Sequence, residues 1–106
     1  MNIRNLMVTC LCVFLLAPHC FSQGDIFRFR DNVIKPGERK SFTISVKSDD
    51  GDSTYIPITI LNGKTKGPVL GLIAGIHGYE YPPIIAMQKM PHQLDPNLIK
   101  GTIIIV

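Results

Sequence analysis

Two runs, residues 69–74 (VLGLIA) and 102–106 (TIIIV), carry almost no polar side chain on either face of an extended backbone. Successive side chains of a strand point to opposite faces. A run that is apolar throughout therefore needs cover on both sides, as in the middle of a layered and often parallel sheet. Parallel neighbours also require a crossover of a dozen or more residues. Residues 82–90 supply it. Pro82 and Pro83 suit a first helical turn, where the amide hydrogen is not needed. Ile84, Ile85 and Met87 are then expected to face the sheet, Gln88 and Lys89 to face outward, and Pro91 to end the helix. Strand, helix and strand make a βαβ unit, with a strong prior for a right-handed crossover.

The chain upstream has a different pattern. Residues 41–47 alternate, with Phe42, Ile44 and Val46 on one face and Thr43, Ser45 and Lys47 on the other. That is a strand with one wet side. Asp49, Asp50, Gly51 and Asp52 make a turn, and Tyr55, Ile56, Ile58, Ile60 and Leu61 mark a second strand. The pair reads as an antiparallel hairpin. Pro57 cannot donate to a ladder, which pushes its strand toward a sheet edge or a bulge. Residues 62–68 (NGKTKGP) read as a further turn. Phe27 and Phe29 alternate with Arg28 and Arg30 as a short half-buried strand, closed by a turn at residues 35–38. The expected fold class is α/β: an amino-terminal β-hairpin segment leading into the start of a mixed, mostly parallel sheet.

The amino terminus stands apart. Arg4 precedes an apolar run over residues 6–17, Pro18 breaks it, and Cys20 and Ser22 lie just before a cut between Ser22 and Gln23. This is the layout of a secretory signal peptide, and the run is short for a membrane span of about 20 residues. Residues 1–22 are assigned as the signal and 23–106 as the folded part, exported to the periplasm or secreted, with no membrane association after cleavage. An uncleaved anchor is the alternative. Cys10, Cys12 and Cys20 all fall in the leader, so the remainder has neither a disulfide framework nor a thiolate metal site. The net charge of +3 and the lack of a basic cluster with interleaved aromatics argue against nucleic acid as a partner.

Sites in open α/β sheets form at the carboxyl ends of strands. Here that place holds Gly75-Ile76-His77-Gly78-Tyr79-Glu80. A three-residue gap across a strand-to-helix turn can aim His77 and Glu80 at one spot. Zn²⁺ accepts an imidazole nitrogen and a carboxylate oxygen, and catalytic zinc takes three protein ligands plus water. On spacing alone a bland account stays open: Glu80 sits in the first helical turn, favoured by the macrodipole, and His77 is a satisfied loop histidine. Tyr79 and Tyr81 flank Glu80 and either wall a site, with Tyr79 as the substrate-binding candidate, or pack. The aspartates around Gly51 do not match a calcium loop, and no serine sits on a nucleophile elbow.

A longer string settles the choice. Gly67-Pro68-Val69-Leu70, then residues 74–80 (AGIHGYE), then Leu94-Asp95-Pro96, then residues 100–106 (KGTIIIV) resemble the opening of the succinylglutamate desuccinylase/aspartoacylase family, whose members are zinc-carboxypeptidase-like in fold. The resemblance spans residues 41–106 and is densest over 67–106. It implies a zinc-dependent hydrolase or deacylase that cleaves an acyl amide or ester bond in a small acylated amine or amino acid. It makes His77 and Glu80 the first two ligands of a single Zn²⁺. The family's third ligand, a histidine, and its glutamate base and substrate-clamping arginines lie further downstream and have no counterpart here. His92 follows the helix, away from the strand ends, and Arg28, Arg30 and Arg39 precede the motif. Tyr79 stands where family members often carry Asp or Asn, which alters the surroundings of the ligands. Residues 23–106 are therefore expected to be the amino-terminal part of a truncated hydrolase domain, inactive alone and prone to aggregate. The competing hypothesis is a non-catalytic exported β-rich module or inert remnant.

Overall fold

The computed structural model describes residues 22–106. The signal-peptide assignment and the three cysteines fall, apart from Ser22, outside the described residues. Strand β1 (Phe27–Phe29) and strand β2 (Asn32–Ile34) form a small antiparallel ribbon. Strand β3 (Glu38–Lys47) and strand β4 (Ser53–Asn62) form the expected hairpin, paired from Glu38↔Asn62 to Lys47↔Ser53. Strand β5 (Thr65–Leu72), helix α1 (Tyr81–Gln93), a 3-10 turn (Pro96–Leu98) and strand β6 (Lys100–Ile105) follow. The main sheet is mixed, in the order β3-β4-β6-β5. β5 and β6 are parallel, as the crossover predicts, but the other two pairings are antiparallel, so the described sheet is mixed and not mostly parallel as expected: the β3–β4 hairpin joins it directly through β6.

Alternation along β3 and β4 gives the sheet two distinct faces. Phe42 lies opposite Ile58 and Ile44 opposite Ile56, and Ile60 lies opposite Ile104 of β6. This face packs on the β1–β2 ribbon. Ile34, Ile58 and Ile60 are buried at its centre, with Phe27, Phe29, Phe42, Ile44, Ile56 and Ile104 against them. The rings of Phe29 and Phe42 lie 5.9 Å apart and tilted. Helix α1 meets the other face, where Arg39 donates to the carbonyl of Pro91. The described residues thus stack ribbon, sheet and helix, with the buried core between the ribbon and the sheet.

One buried polar cluster fixes the join. The Asn62 amide donates to the carbonyls of Asp25 (2.8 Å) and Ile34 (3.0 Å), and its oxygen accepts from the Thr102 hydroxyl at 2.8 Å. Four separate segments meet on this side chain, and burial makes each unmade bond costly. Beside it the chain crosses at Gly101, with φ at +92° and the backbone of Gly67 and Pro68 where a Cβ would stand.

Several expectations are corrected. The turn expected over residues 62–68 is short, because β4 runs through Asn62 and β5 begins at Thr65. Pro91 does not end the helix, which continues to Gln93 with Pro91 buried inside it. The missing amide of a proline costs one helical bond, but here the ring packs between helix and sheet and Arg39 engages its carbonyl. Ile84, Met87 and Pro91 form the inward stripe at i, i+3 and i+7, whereas Ile85 is exposed. β6 has neighbours on both sides, but β5 lies at the sheet edge, with Val69 and Leu70 about half exposed. Pro57 falls in the half of β4 that pairs with β3 alone, so β6 does not need its amide. Among the described residues no helix is long and apolar enough to cross a membrane.

Candidate functional site

The site grows from the carboxyl end of β5. The ladder between β5 and β6 continues past their ends: Val106 donates to Leu72 (2.9 Å) and Ala74 to Val106 (3.0 Å). The backbone then turns at Gly75, whose φ is +81°. A Cβ there would come within 3.3 Å of the Ile84 side chain, so glycine serves both the left-handed turn and the close pass over the helix. Residues 76–80 lead directly into α1.

His77 and Glu80 face each other across this turn. The Glu80 amide donates to the His77 carbonyl at 3.1 Å. The side chains also meet, with His77 Nδ1 and Glu80 Oε1 3.1 Å apart. Glu80 is the N-cap of α1, yet its carboxylate makes no capping bond and so is free for His77. Both side chains are partly open to solvent, at 59% and 43% exposure. An ion pair that exposed contributes at most about 1 kcal/mol, so the pair is not explained as a structural clamp. The Tyr79 ring stacks on the imidazole, with centroids 5.6 Å apart and planes 10° from parallel.

The two donor atoms suit a metal. Atoms each about 2.1 Å from a tetrahedral zinc stand about 3.4 Å apart, within a few tenths of an ångström of the observed 3.1 Å. Nδ1 is the imidazole atom turned to the shared position. Among the described residues no third His, Cys, Asp or Glu joins them. His92 lies near the other end of α1, about 18 Å along the helix axis from Glu80 at 1.5 Å per residue. Arg28 is on β1, Arg30 in the β1–β2 turn, and Arg39 is held at Pro91, so the sequence-distant arginines are not gathered at the pair.

A cavity of about 420 Å³ opens between α1 and the sheet, lined by Arg39, Ser41, Thr59, Ile84, Met87 and His92 among others. It includes neither His77 nor Glu80. Ser41 and Thr59 share a hydroxyl–hydroxyl bond of 2.8 Å across β3 and β4. The contribution of Arg39 to this cavity has no signal in the sequence, because its partner Pro91 is 52 positions away.

Two solved structures resemble this chain in fold. The crystal structure of succinylglutamate desuccinylase/aspartoacylase from Rhodobacter sphaeroides matches 80% of this chain at 27% identity and a TM-score of 0.56. The product-bound structure of the ectoine utilization protein EutE (DoeB) from Ruegeria pomeroyi matches 83% of it at 23% identity and a TM-score of 0.52, a likeness of fold. The chain spans about a quarter of the length of each. No family model and no curated protein matches it.

Proposed function

We propose, taking as premise that this chain belongs to the succinylglutamate desuccinylase/aspartoacylase family by its fold, that it carries part of the site of a zinc-dependent deacylase. His77 and Glu80 would hold one Zn²⁺, offering Nδ1 and a carboxylate oxygen, in a zinc-carboxypeptidase-like setting. The carrying observation is their 3.1 Å approach at the junction of a parallel strand and a helix, where neither side chain has another task. The substrate is a small acylated amine or amino acid, hydrolysed at its amide or ester bond. The protein acts after export and signal removal, which an intact mass beginning at Gln23 checks.

When bound, zinc lowers the pKa of a coordinated water toward about 7 and polarises a carbonyl. The residues described do the positioning. Gly75 sets the turn, the His77 carbonyl takes the Glu80 amide, and Tyr79 fixes the imidazole plane by stacking. A third protein ligand and a general base are not among the described residues.

The test is zinc affinity of the 106-residue chain by calorimetry, with His77→Ala and Glu80→Gln. Each variant is expected to weaken binding at least about tenfold, as loss of one ligand should. Unchanged affinity in both would remove the ligand assignment. A non-catalytic exported β-rich module or inert remnant is the second reading. The same preparations, assayed for hydrolysis of acyl-amino acids, distinguish the two. No turnover is expected from this chain alone, and robust zinc-dependent turnover would eliminate the second reading.

A further inference from the structure

Asn62 is followed by Gly63. In this dipeptide the asparagine side chain is readily attacked by the next backbone nitrogen, because glycine has no side chain to hinder the approach. The fold requires both residues. Asn62 supplies two donated bonds and one acceptor to the buried cluster that joins four segments. A Cβ at Gly63 would run into the carbonyls of Ile99 and Gly101. A chemically labile pair therefore stands where neither member is replaceable.

In the folded chain the attack is blocked at both ends. The Gly63 amide is committed to the Gly101 carbonyl at 2.7 Å. The Asn62 carboxamide is fixed by the carbonyls of Asp25 and Ile34 and by the Thr102 hydroxyl, in a residue only 3% exposed. Every one of these contacts is made among the described residues, and none involves His77 or Glu80.

We propose that Asn62-Gly63 is a modification site open only in the unfolded chain, and that spontaneous deamidation there is a one-way mark of unfolding. The Gly63 nitrogen attacks the side-chain carbonyl carbon of Asn62 and a cyclic imide forms. The amide proton leaves with the side-chain nitrogen as ammonia. Water then opens the imide at one of its two carbonyls, giving aspartate or isoaspartate. The product cannot rebuild the cluster. An acceptor oxygen replaces the amide group that donated to two carbonyls, which leaves those carbonyls unpaired and buries a charge against them. Isoaspartate also lengthens the backbone where β4 ends.

The test incubates the 106-residue chain at mildly alkaline pH, with and without guanidinium chloride, and then digests it with trypsin. In the tryptic peptide of residues 48–64 the only amide side chain is that of Asn62, so the mass gained when an amide becomes an acid reports on it alone. Deamidation without denaturant is expected to be at least about tenfold slower than with it, because the reaction must wait for local opening. Thr102→Val removes the bond to the Asn62 oxygen and should raise the native rate while leaving the denatured rate unchanged. Equal rates with and without denaturant overturn the proposal. So does a native rate that Thr102→Val leaves unmoved, since aggregation and not the cluster would then shield the site. Asn62→Asp stands in for the aspartate product. It is expected to lower the urea midpoint or to abolish the folded state, and a midpoint at or above that of the wild type refutes the one-way step.

Discussion

At Gly75 a single hydrogen atom in place of a side chain lets the strand reach the helix. Its φ of +81° lies where an L-residue is strained, and a methyl group would press on Ile84. Gly75→Ala is expected to destabilise the fold by about 1–2 kcal/mol, seen as a lower urea midpoint. It should also loosen the His77–Glu80 approach, so zinc affinity falls with stability. A stability change within about 0.3 kcal/mol would mean that the turn relaxes freely. The glycine-rich string was legible in the sequence, and the resemblance put His77 and Glu80 side by side. Their closeness and the stacked Tyr79 follow from the local turn, whose hydrogen bonds span only three residues. Asn62 was not legible. It stands in a stretch that reads as a turn, and its partners come from residues 28, 37 and 40 positions away.

Each strand and turn carries its own chemistry, and the β3–β4 hairpin shows it most plainly. Its turn is closed by Ser48 and Asp52, with a 2.8 Å bond from the Ser48 amide to the Asp52 carbonyl and Gly51 at φ +93°. The Asp50 carboxyl is held below its ordinary value of 3.8, first by the Ser48 hydroxyl and then by the Asp52 amide. A depressed carboxylate stabilises the fold fully above its unfolded value. That contribution is lost as pH falls below about 3.8 and through the lower folded value. Ser48→Ala should raise the Asp50 titration midpoint toward 3.8 in an NMR pH series, and a midpoint that does not rise would exclude the hydroxyl as the main cause. Strict alternation made this hairpin readable, whereas α1 was readable only at its start. Pro82 and Pro83 are compatible with a first helical turn by local geometry alone, but whether Pro91 ends a helix depends on what packs against it. Here the sheet and Arg39 do.

Across the whole molecule the two outer strands of the main sheet differ. β3 mixes Arg39, Lys40 and Lys47 with its apolar residues, and charges of this kind discourage edge-to-edge pairing. β5 carries one charge, Lys66, with Gly67, Pro68 and Gly71, and presents Val69 and Leu70 about half exposed. Residues 23–106 are therefore expected to self-associate through β5, sedimenting above monomer mass, and Leu70→Lys should shift them toward monomer. A monomeric wild-type chain with cooperative unfolding would count against an active edge. The sequence by itself determined the hairpin, the helix start and the parallel pair, and nominated His77 and Glu80, because each is written in short-range periodicity or in a contiguous motif. Only the tertiary structure decided that β6 inserts between β4 and β5, leaving one of two similar apolar strands central and the other at an edge. It also decided that Asn62 joins four segments and that Arg39 meets Pro91. These outcomes depend on contacts between residues far apart in the chain, and local patterning carries no record of which distant partner will arrive.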